Sequence, residues 1–85
     1  MKTGLHLYKD GTKCWYLNGH RHREDGPAYV DPVENKAWWY DGRLHREDGP
    51  AVEWADGSKQ WFLNGKELTE SEWLDAITPM LLDRI

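Results

Sequence analysis

His22-Arg23-Glu24-Asp25-Gly26-Pro27-Ala28 returns letter for letter as His45-Arg46-Glu47-Asp48-Gly49-Pro50-Ala51, an offset of 23 residues (22 to 45). Working outward, Trp15, Trp38 and Trp61 keep that spacing. So do the rings behind them, Tyr16, Trp39 and Phe62, and the pairs Asn18-Gly19, Asp41-Gly42 and Asn64-Gly65. A fixed period of this length marks an internal repeat, whose units bury their apolar faces against one another. Residues 4–9 align with 27–32 and 50–55, so a partial unit precedes two nearly full ones.

Each unit reads as two short strands. Asp10-Gly11 and Asp56-Gly57 predict two-residue hairpin turns of type I′, with both residues at positive φ. The middle unit has Val33-Glu34 there, after Pro32, so its turn differs and Asn35 is expected to take the left-handed conformation. The other turn, Asn-Gly or Asp-Gly in every unit, sets Leu17 opposite His20, Tyr16 opposite Arg21 and Trp15 opposite His22. The same register sets Trp38 opposite His45 and Trp61 opposite Leu68. Alternation then places the Trp column on one face, with Tyr29, Tyr40, Lys13, Lys36 and Lys59. Tyr16, Trp39, Phe62, Leu7, Val30, Ala37 and Leu44 are expected on the other.

After Leu68 the repeat breaks. Thr69 and Glu72 form a capping box, and Trp73, Leu74, Ile77, Leu81 and Met80 make an apolar stripe. Thr78-Pro79 resembles a second helix start, which predicts a kink or two short helices. The expected fold class is mainly β: an antiparallel β-hairpin repeat meander of 23-residue period with a C-terminal helical cap. It is read as a single domain over 1–85, with hairpin repeats over 4–68, about six strands, and the cap over 69–85. An open edge near Leu5 to Tyr8 predicts a homo-oligomer.

Eighty-five residues with six Trp and four Tyr make one small domain that relies on rings to hide apolar area. The net charge of −4 argues against general nucleic-acid binding. Cys14 is the single cysteine, which excludes an internal disulfide and a multi-thiol zinc site. No apolar run is long enough for a membrane span, and the expectation is a cytoplasmic protein with no cofactor.

The spacing of aromatic, Gly and His (Tyr16, Gly19, His22; Trp39, Gly42, His45) resembles MORN-type repeats. Trp38-Trp39-Tyr40-Asp41-Gly42-Arg43-Leu44-His45-Arg46-Glu47-Asp48-Gly49-Pro50-Ala51 is closer still to a MORN-like variant repeat of small proteins from tailed phages and large DNA viruses. The likeness covers residues 4 to 68. It implies a β-hairpin ladder, a phage origin and, for a phage-encoded chain, the host-cell cytoplasm. MORN repeats proper have Gly where Cys14, Ala37 and Gln60 stand, and Gly where Arg23 and Arg46 stand, so the lipid binding ascribed to some MORN arrays does not carry over.

The candidate ligand-binding residues are His22, Arg23, His45 and Arg46 of the recurring loops with Trp15, Trp38, Trp61 and Tyr40 of the ring surface. As a site, the two His-Arg pairs form a row that grips phosphate or carboxylate, and the rings stack a base. As scaffold, Arg pairs with Glu or Asp of its own loop, Asp-Gly-Pro turns the chain, His packs on Trp, and Lys stems cover the Trp faces. Recurrence in every unit favours scaffold. No metal site is expected. Acid-base work by His22 or His45 with Glu24 or Glu47 is chemically open, but no nucleophile stands beside them.

Three functional readings follow: a non-enzymatic interaction protein, taken as a phage accessory factor that binds and antagonises a host factor such as a defence protein; a sponge for an anionic nucleotide signal; and a small His-dependent phosphodiesterase or lyase. The first is preferred, with a host protein as partner.

Overall fold

The computed structural model describes residues 2–82 of the chain, with side chains to residue 80. Among the described residues ten strands precede one helix: β1 (Gly4–Leu7), β2 (Lys13–Leu17), β3 (His20–Arg21), β4 (Tyr29–Val30), β5 (Lys36–Ala37), β6 (Trp39–Tyr40), β7 (Arg43–Leu44), β8 (Val52–Glu53), β9 (Lys59–Leu63), β10 (Lys66–Leu68) and α1 (Glu70–Leu82). The mainly β, antiparallel reading is correct, but the strands outnumber the expected six. Each seven-residue loop divides its unit into a hairpin tip and a ladder segment.

The ladder runs β1-β2-β4-β5-β8-β9-β10, with β3 also on β2 and β6-β7 as a separate hairpin. The array is elongated, 41 × 30 × 21 Å. Its most buried side chains are Cys14, Ala28, Ala51, Val52, Trp73 and Ile77. Ala28 and Ala51, the last letters of the repeated loop, are fully enclosed. Among the described residues no helix is long and apolar enough to cross a membrane.

Asn18, Asp41 and Asn64 have φ of 51°, 52° and 51°, and the glycines after them 84°, 80° and 83°. These are the two positive-φ residues that a type I′ hairpin requires. The register is as expected, with Leu17 on His20, Trp39 on Leu44 and Trp61 on Leu68.

Asp10-Gly11 and Asp56-Gly57 behave differently. Only the glycines are at positive φ, 96° and 93°, and Tyr8 N–H bonds Thr12 O at 2.9 Å, as Trp54 N–H does Ser58 O. Three residues close each hairpin, a type I turn with a left-handed glycine. Asp10 and Asp56 instead use their carboxylates, accepting the N–H of Thr12 (2.9 Å) and Ser58 (2.8 Å).

In the middle unit the left-handed residue is Glu34, φ 68°, not Asn35. It stands where its neighbours have Gly11 and Gly57. Asn35 contributes its side chain: Nδ2 donates to Asp31 at 2.9 Å and Oδ1 accepts Ala55 N–H at 2.6 Å.

Three face assignments change. Leu7 pairs with Lys13, and Val30 pairs with Lys13 and Lys36, so Leu7 and Val30 lie on the Trp15 face. Tyr29 pairs with Cys14 and Ala37 and lies on the Trp39 face. For Leu7 the error is the turn, which holds three residues where two were expected; for Tyr29 and Val30, alternation cannot be carried through the loop that precedes them.

Helix α1 starts at the capping box: Glu72 N–H bonds Thr69 Oγ1 at 3.1 Å and Thr69 N–H bonds Glu72 Oε1 at 2.9 Å. It continues through Pro79 as one helix, since a proline there forfeits only one bond near the C-terminal end. The Thr78 hydroxyl donates to Leu74 O at 2.6 Å. Trp73 and Ile77 are buried but Leu74 is 52% exposed, so the stripe is narrower than expected. The Leu81 side chain and residues 83–85 of the expected cap lie outside what is described.

Candidate functional site

Most letters of the repeated loop have a mechanical task. The Arg23 guanidinium lies 3.9 Å from the centre of the Trp15 ring, and Arg46 lies 3.7 Å from that of Trp38. Arg23 Nε donates to Asp25 at 3.0 Å and Nη1 to Pro27 O at 3.1 Å. Arg46 repeats this with Asp48 at 2.8 Å and Pro50 O at 3.0 Å. A flat cation sandwiched over indole and held at its edges is a low-entropy way to seal a ring. The glycine between is dictated by that guanidinium: a Cβ on Gly49 would meet Arg46 Cζ at 2.8 Å, and one on Gly26 would meet Arg23 Cζ at 3.1 Å. Arg46 gains a further partner, Glu53 at 3.0 Å, where the earlier unit has Val30.

The histidines hold neighbouring units together. His22 Nδ1 accepts the N–H of Asp41 at 2.9 Å, and His45 Nδ1 accepts that of Asn64 at 2.9 Å. Each acceptor belongs to the unit that precedes the turn it caps. Backbone bonds follow the same path, Gly42 N–H to Arg21 O and Gly65 N–H to Leu44 O, both 2.8 Å. Since Nδ1 accepts, the bond network assigns the hydrogen of the neutral ring to Nε2. That atom faces Glu47 at 2.9 Å in one copy and Glu24 at 3.9 Å in the other. At the first turn Thr3 Oγ1 takes the histidine's place at Asn18 N–H, 3.1 Å, with Lys2 O on Gly19 N–H at 2.8 Å.

The structure therefore brings Arg23, Trp38, Tyr40, His45 and Arg46 to one open groove of about 650 Å³, with Glu24, Glu47, Asp48, Asn64 and Met80. His22 packs against Tyr40 at a tilt of 49°, 4.3 Å between ring centres, while His45 stands 6.3 Å from it; histidine packs on Tyr40 where Trp was expected. Trp15 lies beneath Arg23. Trp61 is outside the groove: its arginine is replaced by Thr69, and α1 packs on its strand. The cations over Trp15 and Trp38 are arginines of the loops, not the expected lysines, and no lysine stacks on a Trp among the described residues.

The helix reaches this face: Trp73 Nε1 donates to Arg46 O at 2.8 Å, and Met80 forms one wall of the groove. Glu53, Asn64 and Met80 were not foreseen, since only cross-unit packing places them. Glu53 had one usable signal, a carboxylate where its repeat equivalent is apolar. Among the described residues no three His, Cys, Asp or Glu side chains converge on a point. Cys14 is 1% exposed.

Carboxylates dominate the electrostatics. The side chains of Glu24, Asp25 and Asp48 are 75%, 86% and 83% exposed, while both guanidinium groups are engaged within their loops. In the turns, hydrogen bonds to Thr12 and Ser58 N–H hold Asp10 and Asp56 below the usual carboxylate range. At Asp31 the upward push of burial is outweighed by hydrogen bonds from Asn35, Val33 and Tyr29. No protein-family model, no curated protein and no solved structure matches the chain.

Proposed function

We propose that the chain is a non-enzymatic binding protein whose loop groove receives a basic segment of a protein partner. The observation that carries this is the engagement of Arg23 and Arg46 with their own Asp, carbonyl and Trp, which leaves carboxylate as the accessible charge beside Trp38, Tyr40 and Met80. An aromatic floor with an acidic rim suits Lys or Arg side chains, whose stems bury on rings and whose heads meet carboxylates. The likeness to MORN-like repeats of phage proteins supplies the setting, an accessory protein that binds and antagonises a host factor. The sponge reading is weaker on this geometry, because an anionic nucleotide would meet Glu24, Glu47 and Asp48.

The test is an isothermal titration with a lysine-rich peptide and with ATP, followed by NMR at the Trp38 and His45 signals. The peptide is expected to bind, to weaken with added salt, and to weaken about tenfold in Asp48→Asn with Glu24→Gln. Binding of ATP to the same residues, with none of the peptide, would replace this reading by the sponge.

A further inference from the structure

The sheet face away from the loop groove holds a second cavity, of about 320 Å³, walled by Tyr29, Trp39, Trp54 and Phe62 over Ala37. It exists because Ala37 is small. Its paired neighbours are Tyr29 on one side and Val52 on the other, so large rings stand around a methyl group. Such a volume lies at the small end of the roughly 300–1,000 Å³ of ligand sites.

The walls are held in place before any ligand arrives. Trp54 Nε1 donates to Gln60 Oε1 at 2.8 Å, and Gln60 Nε2 donates on to Glu67 at 3.0 Å. The Tyr29 hydroxyl donates to Asp31 at 3.3 Å. The Arg21 guanidinium lies 5.2 Å from the Trp39 ring centre. Rings fixed this way lose little freedom on binding. Arg21 is also the anomaly of the face: its Nε is buried with no hydrogen-bond partner among the described residues. A buried donor without a partner costs about 1–3 kcal/mol; the Arg21 side chain itself lines the cavity, where its guanidinium can donate to a ligand acceptor.

We propose that this cavity binds an uncharged planar ring carrying a hydrogen-bond acceptor at its edge. The four rings supply stacking area, and Arg21 supplies the donor. A cation is disfavoured by Arg21 in the wall. An anion is disfavoured by Asp31, whose carboxylate is already occupied by Tyr29, Val33 and Asn35. This site lies on the opposite face from the loop groove, and its failure leaves the protein-binding reading untouched.

The experiment is a two-dimensional NMR titration of the intact protein, reading the indole N–H signals of Trp39 and Trp54. The probes are quinoline, its isostere naphthalene, which lacks the acceptor, and tetramethylammonium. Quinoline is expected to move both signals and to bind about tenfold more tightly than naphthalene, one hydrogen bond's worth. Ala37→Leu should fill the floor and abolish binding. Arg21→Met, which keeps an apolar stem on Trp39, should bring quinoline down to naphthalene and guards against misfolding of the first variant. No movement with either bicycle, equal affinity for both in the unmodified protein, or stronger binding of tetramethylammonium would each overturn the proposal.

Discussion

Replacing His45 by Ala tests whether the repeated histidine is a lock between units. Three contributions are lost. The Asn64 N–H loses its acceptor at 2.9 Å and Glu47 loses a donor at 2.9 Å, each worth roughly 0.5–1.5 kcal/mol net. The side chain, 17% exposed, also leaves a void beside Tyr40, worth about 1 kcal/mol of apolar burial. The sum is roughly 2–4 kcal/mol, against a total stability on the order of 4–13 kcal/mol for a chain of this length. Thr3→Ala removes only one exposed hydroxyl bond and should cost about 0.5–1 kcal/mol. Urea unfolding followed by Trp fluorescence gives the energies. Native-state hydrogen exchange gives the location: in His45→Ala the Asn64 amide should exchange at least tenfold faster while the Asp41 amide, held by His22, keeps its protection. An unchanged Asn64 exchange rate, or a midpoint equal to that of the unmodified protein, would refute the lock.

Glu34→Gly should stabilise the protein. It removes about 1–2 kcal/mol of left-handed strain at φ 68° and gives back roughly 0.5–1 kcal/mol of unfolded-state entropy, so a lower unfolding midpoint would contradict the turn geometry. Acid should destabilise the fold through Asp10, Asp31, Asp56 and Glu72, all held below their ordinary values. For groups lowered on folding, the contribution is intact above the unfolded value, 3.8 for the aspartates, and drains away as pH falls through the folded values; a flat urea midpoint across that window would oppose it. Trp73→Phe keeps the ring but loses the bond to Arg46 O, and a loss of about 1 kcal/mol is expected in the same unfolding assay. Leu5 and Leu7 on the edge strand β1 are 56% and 63% exposed; sedimentation should show self-association that Leu7→Lys abolishes, and a monomer at high concentration would remove the edge as an interface.

What the chain announces in one dimension is whatever depends on neighbours a few residues apart. Asn18-Gly19 and its two copies make their turns because only such pairs accept two positive φ values cheaply, and that turn sets the hairpin register without outside help. Thr69 and Glu72 cap α1 for the same local reason. The 23-residue period likewise reveals stacking before any contact is known. The sense of the loop motif is only half local. Arg46 stays within its own unit, over Trp38 and on Asp48 and Pro50 O, whereas His45 reaches a turn 19 residues further along the chain. Leu7 changes face because its turn holds three residues where two were expected, and Tyr29 and Val30 because a loop of uncounted parity precedes them. Glu34 takes a conformation that its own propensity opposes, because the ladder on both sides demands a left-handed residue at that step. The cavity over Ala37 belongs wholly to the tertiary structure: a small side chain is only a gap once large ones are stacked around it.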